Sequence, residues 1–207
     1  MKILLITLQT LLLILLLSGC TPATNNNSNK TKSAPETNSA DSLASKFQFS
    51  DYKIMKGQLG PIKIGMTLSE AEKHFEGLTK KENEATCFGF GGGGSAFEYY
   101  LGDEMVFSLI PTRDTDTLLL IIAVHNNLST ANGLHPKASV SELLEKYPDL
   151  MVNQDLMNGW EFFKDTTNNW DFVFKTDEAT EIGEYPEIEI PSKPKRMTFQ
   201  SDCIVIR

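Results

Sequence analysis

Two ten-residue segments of this chain carry the same pattern at a constant offset of 72 residues. The first is "MTLSEAEKHF", beginning at Met66, and the second is "ASVSELLEKY", beginning at Ala138. Each places a hydroxyl residue, Thr67 or Ser139, three positions before a glutamate, which is the capping-box pattern of a helix start. Apolar residues then recur at helical spacing. The pattern predicts two short helices in equivalent places.

Strand-like segments follow each predicted helix and outnumber the helices. They read "ATCFGF", "SAFEYYL", "MVFSLI" and "TLLLIIAVH" after the first helix, and "LMVNQDL", "GWEFFKD", "WDFVFK" and "RMTFQSDCIVI" after the second. Short turn-forming segments separate them, as in antiparallel sheets. We therefore predict an α+β fold, an antiparallel sheet with two short helices on one face. It is built from two similar halves, about 47–131 and 132–207.

The first twenty residues, "MKILLITLQTLLLILLLSGC", have the anatomy of a secretory signal, with one lysine before a leucine-rich run. The run is shorter than the roughly 20 apolar residues that span a bilayer comfortably. Its end, "LSGC", resembles a bacterial lipobox, in which the chain is cut before a cysteine that carries diacylglycerol and an acyl chain such as palmitate. We predict a signal peptide over 1–19 and lipidation of Cys20. An uncleaved signal anchor or a simple secretory peptide is the alternative.

Residues 20–46 predict a flexible tether, because they are rich in Asn, Ser, Thr, Ala and Pro and contain few large apolar side chains. The remainder, 47–207, is long enough to form one globular domain with its own core. Thr21 follows the lipidated cysteine, and the lipobox resemblance then favours an outer membrane if the cell has one. The predicted location is the bacterial cell envelope, with the membrane as a partner through the lipid anchor.

The formal net charge of −8 argues against nucleic acid, whose phosphates select clustered basic residues. The segment "GFGGGGSAF" contains G-x-G-x-x-G, but a dinucleotide site requires a following helix, and the next residues predict a strand. No nucleotide partner is therefore expected. Glycine accepts positive φ and close backbone approach, so Gly91, Gly92 and Gly93 are candidates for contact with a partner.

Cys87 and Cys203 are the only cysteines besides Cys20. Exported thiols often pair, and we place Cys87 on the first predicted strand after the first helix and Cys203 on the last strand. A Cys87–Cys203 disulfide is one interpretation, and two separate buried thiols is the other.

The segment "TDEATEIGEYPEIEIPSKPKR" is acidic and then basic, and its prolines and length predict a long loop. Such a loop is either solvated or used to bind a partner or Ca²⁺, although no D-x-D-x-D-G pattern supports calcium. Its carboxylates Glu184, Glu187 and Glu189 are candidates for contact with a partner.

Aromatic residues dominate the two strands that "TTNN" connects. Period-two spacing places Trp160 and Phe162 on one face of their strand, and Trp170, Phe172 and Phe174 on one face of the next. Core packing explains such a pattern, whereas a face left exposed would form a binding patch.

The segments "KASVSELLEKYPDL", "WEFFKDTTNNWDFVFK" and "RMTFQSDCIVIR" resemble the C-terminal half of the sigma-E-regulated lipoprotein family of enterobacteria, a domain of unknown function. The preceding "EYYLGDEMVFSLIPTRDTDTLLLIIAVHNN" resembles the hydrophobic hairpin of that family. The resemblance supplies no catalytic residue. The G-M-T-x-x-E element alone is less specific, since it also occurs in assembly-factor and β-lactamase-inhibitor-like folds.

The three histidines lack metal-ligand spacing, and no nucleophile-elbow pattern is present. We therefore assign no catalytic residue, metal or cofactor from the sequence. The predicted anchor and tether favour a non-enzymatic, lipid-anchored envelope protein that binds an envelope partner or supports envelope integrity under stress. The alternative is a protein inhibitor of a secreted or periplasmic hydrolase.

Overall fold

The structure is a computed structural model that describes residues 46–187 and 190–207. The predicted signal peptide, Cys20, nearly all of the predicted tether and Glu189 lie outside the described residues. The described chain forms an eight-stranded antiparallel sheet, a separate three-stranded sheet and two short helices. The predicted α+β class is confirmed.

Two α-helices and eleven strands follow one another along the described part of the chain. Their bounds are β1 Ile54–Met55, β2 Gln58–Leu59, β3 Ile62–Lys63, α1 Leu68–Glu72, β4 Thr79–Glu84, β5 Ser95–Leu101, β6 Glu104–Pro111, β7 Leu118–Ala123, α2 Val140–Lys146, β8 Val152–Asp155, β9 Trp160–Asp165, β10 Trp170–Phe174 and β11 Cys203–Ile206. Two short 3₁₀ helices, Phe49–Asp51 and Ala85–Phe88, precede β1 and β5.

The strand order of the large sheet is β4-β5-β6-β7-β11-β10-β9-β8. Each half is therefore one helix followed by a four-stranded antiparallel meander, α1 with β4 to β7 and α2 with β8 to β11. The two meanders join through the antiparallel pair of β7 and β11. The boundary predicted near residue 131 falls in the connection between β7 and α2. The helix and the four-stranded meander recur in both halves, whereas the three-stranded sheet of β1 to β3 belongs to the first half.

One row of cross-strand partners runs across all eight strands. Its members, in strand order, are Lys80, Tyr99, Phe107, Ala123, Ile204, Phe172, Phe163 and Val152. All except Lys80 are buried in one cluster, which also contains Ala71 of α1 and Val140 and Leu143 of α2. Both helices therefore pack on this face of the sheet, called here the helix face.

Both helices begin with the predicted capping boxes. The Thr67 hydroxyl accepts a hydrogen bond from the Glu70 amide at 3.2 Å, and the Glu70 carboxylate accepts one from the Thr67 amide at 2.9 Å. Ser139 and Glu142 do the same at the start of α2, at 3.3 and 2.7 Å. These backbone hydrogen bonds lower the pKa of both glutamates, because the charged carboxylate is the better acceptor.

The prediction of a strand at "ATCFGF" is wrong. The strand after α1 is β4, whose sequence "TKKENE" is wholly exposed and pairs only with β5 at the edge of the sheet. Charged side chains are common on edge strands, where they prevent pairing with other chains, and such a strand gives no apolar alternation to detect. Cys87 consequently lies in the 3₁₀ helix that follows β4 and not on a strand.

Candidate functional site

Residues 85–94, called here the glycine strap, lie on the sheet face opposite the helices. Neighbouring residues of a strand point to opposite faces, so Ile122 and Val205 face away from the helices. They belong to a second buried cluster, with Ala85, Ala96, Ile110, Leu120 and Cys203. Phe88 and Phe90 of the strap pack against this cluster. The strap thus covers part of what we call the open face.

Side chains of the second half hold the strap in place. The Lys175 ammonium donates a hydrogen bond to the Cys87 carbonyl at 2.9 Å and lies 4.8 Å from the centre of the Trp160 ring, a cation–π contact. The Asn158 amide donates to the Gly89 carbonyl at 3.1 Å. A connection that belongs to the first half is therefore fixed to β9, to the residue after β10 and to the turn before β9.

One strap position requires glycine. Gly89 has a φ of 77°, and a Cβ atom there would lie 2.9 Å from the Trp160 ring, so a side chain would be both strained and crowded. Of the predicted contact residues, Gly91 and Gly92 are exposed and Gly93 is partly exposed. The strap leads into β5, the strand that "SAFEYYL" predicts.

A cavity of about 430 Å³ lies between the strap and the second half of the open face. Its apolar lining consists of Phe88, Phe90, Leu120, Leu156, Trp160, Phe162, Val173 and Val205. Small-molecule sites typically occupy roughly 300 to 1,000 Å³ and combine apolar walls with a few polar groups. The cavity meets both conditions, because Asn153, Asp155, Asp171 and Arg207 also line it.

An ion pair marks the polar end of the cavity. The Arg207 Nε donates to the Asp171 carboxylate at 2.8 Å. The Asp171 side chain is only 8% exposed, whereas the Arg207 side chain is 51% exposed. Asp171 therefore orients a guanidinium that remains accessible from solvent, and its buried charge is balanced by that guanidinium.

The rim of the cavity carries the two most exposed large apolar side chains among the described residues. Leu156 is 52% exposed and Met157 is 84% exposed, both in the turn between β8 and β9. The Met157 methyl group lies beside Gly91, 3.2 Å from where a Cβ atom there would stand. The turn tip and the strap therefore form one continuous surface, of the kind that marks binding sites in soluble domains.

The two sets of aromatic residues lie on opposite sides of the sheet. Trp170, Phe172 and Phe174 are buried on the helix face, and Trp160 and Phe162 line the cavity on the open face. The grouping predicted from period-two spacing is confirmed within each strand. The sequence gives no indication of which set faces the helices, because both strands carry aromatic residues on alternate positions.

The predicted acidic contact residues lie elsewhere. Glu184 and Glu187 are exposed, and the Glu184 carboxylate lies 3.8 Å from the Lys195 ammonium. Glu184 directly follows Gly183, whose amide is bonded to Glu161 on the helix face. The structure therefore does not bring the acidic loop together with the glycine strap on one binding surface.

Glu161 is a structural residue that the sequence analysis missed. Its carboxylate is fully buried and accepts hydrogen bonds from the Ile182 amide at 2.7 Å, the Gly183 amide at 2.8 Å and the Tyr185 hydroxyl at 2.7 Å. It holds the long loop against the helix face. The one local indication of this role is that Glu161 lies two residues before the buried Phe163. Alternation along the strand therefore places its carboxylate on the same face as an apolar side chain.

Cys87 and Cys203 line one small cavity of about 240 Å³ on the open face, beside the strap. Their thiols are not bonded to each other in this structure, with Cys87 exposed and Cys203 buried. The disulfide between them remains a prediction. The structure places Cys87 on the strap and Cys203 on β11, where both line the same cavity.

Thiol labelling tests the state of both cysteines. Burial raises the pKa of Cys203 to about 12, so the reactive thiolate of Cys203 is scarce at pH 7.5. After reduction, we expect maleimide to label Cys87 in the folded protein and Cys203 only after denaturation, as mapped by peptide mass spectrometry. Without prior reduction, protection of Cys87 as well would support the disulfide, and rapid labelling of Cys87 would contradict it.

No family model, curated protein or solved structure matches this chain. Within residues 46–187 and 190–207, no helix is both long and apolar enough to cross a membrane. The same ranges contain no group of three or more His, Cys, Asp and Glu side chains arranged to hold a metal ion.

Proposed function

We propose that this chain is a lipid-anchored bacterial envelope protein that acts by binding an envelope protein, without catalysis of its own. The observation that supports this most directly is the open face. Within the described residues, the eight-stranded sheet carries both α-helices on one side, and the other side presents the strap, a cavity and the exposed Leu156 and Met157. Large exposed apolar side chains beside a pocket are typical of protein interfaces.

The proposed anchor explains how such a surface would be used. Two or more acyl chains hold a protein stably at a membrane, and a polar tether lets the domain reach partners near that membrane. The proposed relationship to sigma-E-regulated lipoproteins agrees with this arrangement and with a role in envelope integrity under stress. An outer membrane is the proposed location in a Gram-negative cell.

Replacing Cys20 with serine tests the anchor. We expect the full-length wild-type chain to fractionate with membranes and to carry a diacylated, N-acylated Cys20 by mass spectrometry. The Cys20→Ser variant should remain unprocessed and lack the lipid mass. Normal processing and unchanged mature mass in the variant would contradict the proposed lipidation.

Photocrosslinking in living cells tests the partner. A photoreactive phenylalanine derivative at Met157 should give a discrete adduct with an envelope protein. Met197 is the matched control, because it is also an exposed methionine but lies beside the start of α2, where its carbonyl accepts from the Ser141 amide. Adducts of equal yield at both positions would contradict the assignment of the open face. A secreted hydrolase in the Met157 adduct would instead identify the chain as an inhibitor.

A further inference from the structure

We infer that the cavity beneath the glycine strap binds a small aromatic carboxylate. This ligand site is additional to the proposed protein interface and does not depend on it. The cavity combines an aromatic end with a single prepositioned cation, and each of these two features selects one part of the ligand.

The aromatic end is formed by side chains from both halves. Phe88 and Phe90 come from the strap, and Trp160 and Phe162 come from β9. Phe162 and Val173 are direct cross-strand partners, so they form a continuous apolar floor. Aromatic rings prefer offset or edge-to-face contact with other rings, and this end of the cavity offers four of them to a planar ligand.

The charged residues that line the cavity differ in how much of their hydrogen-bonding capacity other residues already use. The Asp155 carboxylate accepts hydrogen bonds from the Met157 amide and the Asn158 side chain. The Glu161 carboxylate points to the helix face and is occupied by the long loop. Asp171 is paired with the Arg207 Nε.

Arg207 is the one residue of these four that carries hydrogen-bond donors, since the other three are carboxylates. Its terminal guanidinium nitrogens have no hydrogen-bond partner within the described part of the chain, since only Nε is bonded to Asp171. A guanidinium held in this way presents a planar edge that matches a carboxylate. The ligand that satisfies both ends is therefore a flat aromatic group that bears one carboxylate.

Photoaffinity labelling of the full-length chain in envelope vesicles tests this site. The probe is a benzoic acid that carries a trifluoromethyl diazirine, and the comparison probe is the uncharged benzyl alcohol with the same ring. We expect saturable labelling by the acid probe on peptides that contain Phe88 to Phe90 or Trp160 to Phe162. Excess naphthoate should suppress this labelling.

Three variants separate the site from general apolar adsorption. Val173→Trp fills the floor of the cavity and should lower labelling by both probes at least tenfold. Arg207→Gln should weaken the acid probe by about tenfold, the effect of losing one charge-assisted hydrogen bond, and leave the alcohol probe unchanged. Met197→Ala removes an exposed apolar side chain near α2 and should change neither.

The Arg207→Gln variant leaves the buried Asp171 carboxylate without its charge partner, so its fold is first checked by circular dichroism. Arg207 is half-exposed and outside both buried clusters, so the variant is expected to stay folded and to keep the test decisive if Val173→Trp fails to fold. Three results would overturn the inference. The labelling could be scattered over the surface, or naphthoate could fail to suppress it. Each probe could also label Arg207→Gln as strongly as it labels wild type. Failure of the Met157 crosslink would leave this result unaffected, so the two proposals fail separately.

Discussion

Replacing Glu161 with alanine is expected to lower the free energy of unfolding by about 4 kcal/mol, because the change leaves two buried backbone amides without an acceptor. These amides belong to Ile182 and Gly183, which are both buried. The Tyr185 hydroxyl loses its acceptor as well. Urea unfolding followed by tryptophan fluorescence measures the loss.

Three comparisons show whether the buried carboxylate is the cause. Glu161→Gln keeps the volume and one acceptor oxygen, so about half of the loss is expected. Tyr185→Phe removes a single donor and should cost about 1 kcal/mol. Glu184→Ala removes an exposed carboxylate and should stay within about 0.5 kcal/mol of wild type. A Glu161→Ala loss as small as that of Glu184→Ala would show that the long loop is held by other contacts.

The ionisation of Tyr185 gives a second readout. Burial and the hydrogen bond to Glu161 both raise the pKa of Tyr185. Loss of the carboxylate should therefore lower that pKa towards the ordinary value of a tyrosine. A spectroscopic titration should show one tyrosine of Glu161→Ala ionising at lower pH than in wild type.

The features predicted correctly from the sequence are those set by nearby residues. A capping box lies within four residues, so Thr67 with Glu70 and Ser139 with Glu142 are recognisable without any knowledge of the fold. Alternation along β9 and β10 similarly assigns faces within one strand. The repeat at a constant offset then gives the two halves and, with them, the α+β class.

The features that were missed depend on contacts between distant parts of the chain. Lys175 binds the Cys87 carbonyl across 88 positions, and Asn158 binds the Gly89 carbonyl across 69. Neither contact has a local signal, because both acceptors are backbone atoms. The Arg207–Asp171 pair likewise exists only because β10 and β11 are neighbours in the sheet. The strap and its cavity were therefore not predictable from spacing or composition.

Replacing Phe107 with alanine is expected to destabilise the whole sheet by about 4 kcal/mol, the typical cost of emptying a fully buried phenylalanine site. Its ring is fully buried and lies 5.1 Å from the ring of Tyr99 and 5.2 Å from that of Phe75, centre to centre. Phe107 belongs to the row of partners that crosses from the first half to the second through Ala123 and Ile204. The substitution should therefore lower the stability of both halves.

The two tryptophans make this testable, because Trp160 and Trp170 both lie in the second half, whereas Phe107 lies in the first. If the eight strands unfold together, Phe107→Ala should shift the fluorescence midpoint in urea as far as the midpoint from far-ultraviolet circular dichroism. Phe97→Ala, at a partly exposed ring on the neighbouring strand, should shift both midpoints much less. A fluorescence midpoint that stays at the wild-type value while circular dichroism shows two steps would mean that the halves are separate folding units, with the β7–β11 pair contributing little to cooperativity.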